Sequence, residues 1–119
     1  MPFVGNKRFA LKVVGESHYE SNLFELCGPA EDHMRQFPRT AILTLESDNP
    51  YDGNAIRVDI NGLTVGHFAR DDAAWFRRAF GARSGTRYVC AAVIVSLRGD
   101  AACDYGVRLD LEEDSLRRL

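Results

Sequence analysis

The residues with the clearest chemical potential lie in one turn-forming segment, residues 48–55 (DNPYDGNA). Asn, Asp, Gly and Pro favour tight turns, and they account for most of the segment. Tyr51 needs a further reason, because an aromatic ring on a turn either plugs the end of a core or offers a face to a nucleic-acid base. The Asp52 carboxylate beside it can accept a hydrogen bond from a sugar hydroxyl. This pair of side chains suits the end of a nucleotide chain.

Two histidines offer a different chemistry. With Asp52, His18 and His67 could form a general-base pair or a metal site in a small hydrolase or nuclease, because imidazole titrates near neutral pH and binds metals. The sequence has no HExxH, GxSxG or GxxxxGK[ST] motif that would support catalysis. We therefore expect no enzyme, no metal site and no cofactor.

The three cysteines, Cys27, Cys90 and Cys103, form no CxxC pair and lie in or beside apolar stretches. This pattern predicts buried free thiols rather than a metal site. The sequence also shows no signal-peptide pattern and no apolar run of the roughly 20 residues that span a bilayer. We accordingly expect a cytoplasmic protein that does not associate with a membrane.

The length and composition limit the class of protein to which the chain can belong. A chain of 119 residues with 45% hydrophobic and 27% charged residues is typical of one globular domain. We expect a single domain over residues 1–119, with a core at about 9–111 and a tail at 112–119. Because the net charge is -2, nucleic-acid binding would have to depend on a local group of side chains.

Six strands are predicted from apolar or alternating runs. They cover residues 9–14, 40–46, 55–60, 63–68, 88–97 and 105–111. Asn61-Gly62 joins two of these runs, and it predicts a hairpin because a type I′ turn needs positive φ at both positions. Residues 31–39 show no period, and we expect a loop there.

Two helices complete the predicted elements. A short one covers residues 23–27, and a longer one follows Asp71, with Trp75, Phe76 and Phe80 at helical spacing. We interpret these three rings as core residues that cover one end of the sheet. The order of elements predicts a mainly β fold, a small six-stranded antiparallel barrel of OB-like or SH3-like type with two short helices.

Arg77 and Arg78 lie on the longer helix. Charged residues on a helix usually form its solvated face, and we interpret this pair in that way. An alternative is that they extend a basic rim with Arg70.

The sequence resembles the HIRAN domain family at three motifs. They are VGESHY at residues 14–19, NPYDGNA at 49–55 followed by IRV, and VGHF at 65–68. These motifs occur in the order and spacing of the family. The resemblance covers residues 9–80 well and the closing strands loosely.

The resemblance implies a small β-barrel that binds DNA, as in a member of the family that captures the 3′ end of single-stranded DNA. By motif position, Tyr51 would stack on a base, Asp52 would hold the terminal 3′-hydroxyl and Asn49 would shape the pocket. His67 would lie close to the backbone phosphates, and Arg70 would contact a phosphate in place of a lysine.

The same resemblance assigns Tyr105 as a second aromatic wall and places Ser17, His18 and Tyr19 in the pocket. The DNA-binding member has an arginine and two tyrosines at these three positions. One cation is thus lost and one ring is replaced by imidazole, and a lost stacking ring costs about 1–3 kcal/mol of binding free energy.

Three hypotheses follow. The first is a module that binds single-stranded DNA or a nucleotide end in DNA repair or processing, with a helicase or nuclease as a partner in trans. The second is a protein-interaction module with a HIRAN fold that has lost nucleic-acid binding. The third is a small hydrolase or nuclease.

Overall fold

The computed structural model of the protein describes residue 3 and residues 5–46, 53–81, 83–99 and 103–111. Its strands are β1 (Leu11–Val14), β2 (Arg35–Leu45), β3 (Ile56–Ile60), β4 (Leu63–Phe68), β5 (Arg87–Ser96) and β6 (Tyr105–Leu109). All pair antiparallel and close a barrel in the order β1-β4-β3-β2-β5-β6. A 3-10 helix (Glu16–Tyr19) leads into α1 (Glu20–Cys27), and α2 (Arg70–Phe80) follows β4. The predicted mainly β barrel with two short helices is confirmed.

The hairpin of β3 and β4 turns at the predicted dipeptide. Asn61 has φ 51° and Gly62 has φ 77°, so both positions adopt the left-handed conformation that a type I′ turn needs. The turn sets the register of the hairpin, in which Ile60 lies opposite Leu63.

The long strand β2 corrects the prediction of a loop over residues 31–39, because the strand begins at Arg35. Between Arg35 and Thr40 the strand pairs with β5, whereas from Ala41 onward it pairs with both β5 and β3. Pro38 lies in the first half, where its missing N–H faces an unpaired edge and costs no ladder hydrogen bond. The sequence of this half shows no apolar period because neither of its faces is buried: residues 35–40 alternate between half-buried and exposed.

The barrel interior is filled by the inward side chains of the strands. Leu43, Ile56, Val58, Ile60 and Ile94 are completely buried. Removing so much apolar surface from water is the main stabilising contribution to a small fold of this kind.

One end of the barrel is covered by α2 and aromatic rings. Phe76 is completely buried, and its ring centroid lies 5.2 Å from that of Tyr88 and 4.9 Å from that of Phe80. Phe3 packs against the same group, with 5.3 Å between its ring centroid and that of Tyr88. Trp75 packs against the core at its edge. The interpretation of the helix rings as core residues is confirmed.

A bulge in β4 determines which side chains share the outer face of the β3–β4 pair. Arg57 lies opposite His67 and Asp59 lies opposite Thr64, with a register shift between the two pairs. Arg57 and Asp59 are two positions apart, while Thr64 and His67 are three apart. The extra residue therefore places His67 on the same face as Thr64.

Gly66, beside this bulge, allows β1 to approach β4 closely. A Cβ atom there would lie 2.5 Å from Val13 Cγ1 and 2.6 Å from the carbonyl oxygen of Val14. Only glycine fits such a contact with backbone. The close approach pairs Val14 with His67.

Candidate nucleic-acid interface

His67 shares a carboxylate with Arg57 on the outer face of β3 and β4. The Nε2 atom of His67 lies 2.9 Å from Glu46 Oε1, and Arg57 Nη1 lies 3.6 Å from Glu46 Oε2. The three side chains are 18–33% exposed, so solvent screens these contacts only in part. The carboxylate of Glu46, the residue that follows β2, orients both nitrogen-bearing side chains.

The polar contacts continue along β3 and β4. Arg57 Nε donates to Asp59 Oδ2 at 3.0 Å, and Thr64 Oγ1 donates to Asp59 Oδ1 at 2.7 Å. The side-chain amide of Asn22 on α1 donates to the Thr64 carbonyl oxygen at 2.8 Å. We call Glu46, Arg57, Asp59, Thr64 and His67 the β3–β4 polar row. Each of its members is hydrogen-bonded or ion-paired to another member.

Tyr19 lies against the end of this row. Its ring centroid is 6.1 Å from that of His67, and the two planes are inclined by 42°. Tyr19 ends the 3-10 helix, which begins directly after Gly15, a residue with φ 80°. His18, the preceding residue, is exposed, and its backbone N–H donates to the Gly15 carbonyl oxygen at 3.1 Å. The fold thus brings Tyr19 to His67 from 48 positions away in the chain and leaves His18 open to solvent.

The turn that holds Asn49, Tyr51 and Asp52 lies outside the described residues. Its two stems are described, and they are joined by a hydrogen bond from the Glu46 N–H to the Ala55 carbonyl oxygen at 2.9 Å. Glu46 is therefore both a stem of the turn and a member of the β3–β4 polar row.

Arg77 ties the same two stems together from α2. Its Nη2 donates to the carbonyl oxygens of Glu46 at 2.6 Å and Ala55 at 3.1 Å, and its Nε donates to that of Asn54 at 2.9 Å. The residue is only 7% exposed. A buried guanidinium that spans both ends of a turn restricts how far the ends can separate.

The prediction that Arg77 lies on a solvated face is therefore wrong, whereas Arg78 is exposed as predicted. The positions of the two arginines on the helix could have indicated that Arg77 is buried and Arg78 is not. Position 77 lies four residues after the buried Ala73 and three before Phe80, on the apolar stripe of α2. A charged residue on such a stripe needs buried acceptors, and the turn stems supply them.

Tyr105 belongs to the core. It is 7% exposed, and its hydroxyl donates to the Gly28 carbonyl oxygen at 2.6 Å. Burial raises the pKa of its phenol. Since the ring packs inside the barrel, it does not offer a wall to a base. Arg70, in contrast, is exposed at the first residue of α2.

A family model for the HIRAN domain matches residues 7–114 of the chain. The chain belongs to the HIRAN domain family. Among solved structures, it is similar to the crystal structure of the HIRAN domain of human HLTF, with 19% identity and a TM-score of 0.40. That match covers 91% of this chain and 78% of the other. A search of curated proteins gave no match.

HIRAN domains are DNA-binding modules and are generally not catalytic. Within the described part of this HIRAN domain, no group of three or more His, Cys, Asp and Glu side chains is arranged to hold a metal ion. No helix in the same part is both long and apolar enough to cross a membrane.

Proposed function

We propose that this HIRAN domain binds the 3′ end of single-stranded DNA, in the cytoplasm and in DNA repair or processing, with a helicase or nuclease as its partner in trans. In the proposed complex Tyr51 stacks on the terminal base and Asp52 accepts a hydrogen bond from the 3′-hydroxyl. Asn49 shapes the pocket between them.

The observation that supports this proposal most is the meeting of Tyr19 and His67 beside a stem of the turn. The ring of Tyr19 lies 6.1 Å from that of His67, and His67 is bonded to Glu46, from which the turn departs. An aromatic face and an imidazole at that place suit a second nucleotide and its phosphate. The exposed His18 and Arg70 are further candidates for phosphate contacts.

The charge of the β3–β4 polar row limits the expected affinity. Arg57 faces carboxylates from both Glu46 and Asp59, so much of its positive charge is neutralised. The row thus offers little positive charge to attract phosphates, and we expect weak binding that salt reduces further. The same feature favours a second candidate function, a protein-interaction module that keeps the fold without the nucleic-acid pocket.

The proposal is tested by fluorescence anisotropy with labelled oligonucleotides of about ten nucleotides. One carries a 3′-hydroxyl and its matched partner a 3′-phosphate. We expect the hydroxyl end to bind about tenfold more tightly, because the phosphate repels the Asp52 carboxylate and removes the donor. Tyr51→Ala should reduce the binding free energy by about 1–3 kcal/mol through the loss of stacking.

Asp52→Asn should reduce the discrimination between the two ends, because an amide no longer repels the phosphate, although its oxygen can still accept a hydrogen bond from the 3′-hydroxyl. Asp32→Asn is the matched control, since its side chain is 82% exposed and pairs with Arg98 away from the turn. Equal binding of both ends, or none of either, would reject capture of the 3′ end. If an oligonucleotide binds equally well with either 3′ end, and neither Tyr51→Ala nor Asp52→Asn weakens it, the nucleic-acid site lies elsewhere.

A further inference from the structure

A concave surface lies between β1 and α2. It encloses about 550 Å³, within the range of about 300–1,000 Å³ that is usual for small-molecule sites. We call it the α2 groove, and it is lined by residues 10–12, by Asp71, Asp72, Trp75 and Arg78 of α2, and by Leu111. None of these residues belongs to the proposed nucleic-acid site at the turn.

Trp75 gives the groove an aromatic surface. The residue is half-buried, and its ring meets those of Phe76 and Phe80 at interplanar angles of 78° and 86°. These are edge contacts, so neither phenylalanine ring is stacked on the indole. An indole that lines a groove in this way can stack on a nucleic-acid base.

Two cations line the groove together with the indole. Lys12 comes from β1 and Arg78 from α2, and both are exposed. Within the described part of the chain, no carboxylate forms an ion pair with either of them. Arg78 also lines a smaller depression with Asn54, which lies next to a stem of the turn. The groove is therefore adjacent to the turn through Arg78.

The groove also contains two carboxylates, both in the first turn of α2. Asp72 is half-buried and takes part in an interaction within the protein. Asp71 is exposed, and it lies four residues before Trp75 and seven before Arg78, on the same face of the helix. A carboxylate repels phosphate but accepts a hydrogen bond from the amino group of a base. Asp71 therefore suits the base of a nucleotide, and Arg78 suits its phosphate.

The outer face of β1 links the groove to the proposed site at the turn. Val14 lies opposite His67 in the sheet and is 42% exposed. Lys12 lies two positions before Val14 on the same face of β1, about 6.6 Å away along the strand. The strand therefore leads from the imidazole of the proposed second nucleotide to a cation of the groove.

We propose that the α2 groove binds a further nucleotide of the single-stranded DNA whose 3′ end lies at the turn. The base of this nucleotide stacks on Trp75 and donates a hydrogen bond from its amino group to Asp71. Lys12 and Arg78 contact the phosphates on either side of it. The inference rests on the proposed function and adds to it a second subsite, which prefers bases with an exocyclic amino group, such as cytosine.

A nucleotide matches both kinds of charge in the groove. Its phosphate is negative, whereas its base is neutral and carries amino donors. Asp71 would repel a uniformly acidic peptide, and Lys12 and Arg78 would repel a uniformly basic one. The mixed charge and the indole together thus favour single-stranded DNA as the occupant.

The first test uses Trp75 itself, because the chain contains 1 tryptophan and its fluorescence therefore reports on the groove. The protein is titrated with a cytosine dinucleotide and with a cytosine oligonucleotide of about eight nucleotides, both with a 3′-hydroxyl. We expect the longer ligand to quench the emission of Trp75 by stacking, and the dinucleotide, which occupies only the turn and the position beside His67, to leave it unchanged. The longer ligand should also bind at least about tenfold more tightly. Equal affinities of the two ligands without quenching would overturn the proposal.

The base preference is tested with a thymine oligonucleotide of the same length, because thymine has no amino group. We expect the cytosine oligonucleotide to bind about fivefold more tightly to the unsubstituted protein. Asp71→Asn should lose this preference, since its amide can donate to thymine as well as accept from cytosine. A preference that is the same in Asp71→Asn, or absent from the unsubstituted protein, would overturn the contact assigned to Asp71.

Charge-reversal variants locate the site. Lys12→Glu and Arg78→Glu should each weaken binding of the longer oligonucleotide at least about fivefold, and change that of the dinucleotide by less than about twofold. Arg98→Glu is the matched control, because it changes the net charge equally at the end of β5 remote from Tyr88, which packs against α2. Circular dichroism verifies that each variant is folded. Equal effects of all three variants would show that only the net charge matters and would reject the groove as a site.

The same titrations separate failure of this inference from failure of the proposed function. If the 3′-hydroxyl and 3′-phosphate ends are discriminated but Trp75 is not quenched, the groove is rejected and the proposed function stands. If Trp75 is quenched equally with either end, and equally in Tyr51→Ala, the groove stands as a single-strand site and capture of the 3′ end is rejected. If no oligonucleotide binds, both are rejected.

Discussion

Among single side chains, the cysteines show how burial raises the pKa of a thiol. Cys90 points into the barrel from β5 and is 2% exposed, and burial raises the pKa of its thiol to about 12, with the Asp110 carboxylate acting in the same direction. Burial also raises the pKa of Cys27 and Cys103, which are only half-buried. The prediction of buried free thiols is thus confirmed for Cys90, while the other two are partly covered.

The raised pKa of Cys90 makes stability depend on pH in the alkaline range. The folded state keeps the neutral thiol, whereas the unfolded state ionises near pH 9.0. The contribution of Cys90 is therefore complete below pH 9.0 and falls as the pH rises toward about 12. At about pH 10 the free energy of unfolding should be lower by about 1 kcal/mol than at about pH 8 through this group.

Urea unfolding at the two pH values measures this effect. Cys90→Ala has no ionisable group at the site, so its stability should fall less between the two pH values than that of the unsubstituted protein. Cys27→Ala is the comparison: burial also raises the pKa of this thiol, but it is only half-buried, so the variant should keep most of the loss. If Cys90→Ala loses as much stability as the unsubstituted protein, the thiol is not the cause.

Between elements, the decisive contact joins α2 to the stems of the turn. Arg77 donates three hydrogen bonds to the carbonyl oxygens of Glu46, Asn54 and Ala55. The sequence motif of the turn was recognisable by residue type, but the arginine that clamps it lies 22 positions or more further along the chain. A helix that seals the barrel thus also restrains the proposed binding turn.

Arg77→Met should lower the free energy of unfolding by about 1–3 kcal/mol, because the part-buried carbonyl oxygens of Glu46 and Asn54 lose this donor, while that of Ala55 keeps the Glu46 N–H. Arg78→Met, at an exposed position of the same helix, should change it by less than about 0.5 kcal/mol. Urea unfolding compares the two. At temperatures where both variants are folded, Arg77→Met should also bind the oligonucleotide with a 3′-hydroxyl more weakly.

The two measurements on Arg77→Met separate a structural role from a positioning role. If Arg77→Met lowers the stability but leaves the affinity for the oligonucleotide unchanged, Arg77 has a structural role and no positioning role. Equal stability of the Arg77 and Arg78 variants would contradict the clamp.

For the whole molecule, closure of the barrel creates the candidate site. β1 pairs with both β4 and β6, and its pairing with β4 depends on the missing side chain of Gly66. The 3-10 helix that carries Tyr19 begins one residue after β1. The contact of Tyr19 with His67 therefore depends on the pairing of β1 with β4, which we call the seam of the barrel.

Gly66→Ala should destabilise the fold by about 1–3 kcal/mol, because its Cβ would collide with Val13 and with the backbone of Val14. Gly99→Ala is the control, since a Cβ there meets no atom within 4 Å. Thermal unfolding gives the stability of both. In the amide spectrum of the folded Gly66 variant, the largest shifts should lie on β1, β4 and the 3-10 helix. Equal melting temperatures of the two variants would contradict this account of the seam.

The sequence by itself determined the secondary-structure elements that depend on neighbouring residues in the chain. The hairpin at Asn61-Gly62, the apolar stripe of α2 and most strands follow from residue periodicity and turn geometry, which neighbouring residues largely define. The motifs also indicated the family. Residues 35–39 were predicted as a loop because neither face of the strand is buried there, so it needs no regular apolar pattern.

Only the tertiary structure decided which side chains far apart in the chain meet. Arg77 joins the two stems of the turn and Tyr19 lies against His67, and neither contact follows from local pattern. Each depends on contacts between residues far apart in the chain, whose partners are set when the barrel closes. Periodicity specifies which way a side chain points from its own element, but long-range packing specifies what it meets there.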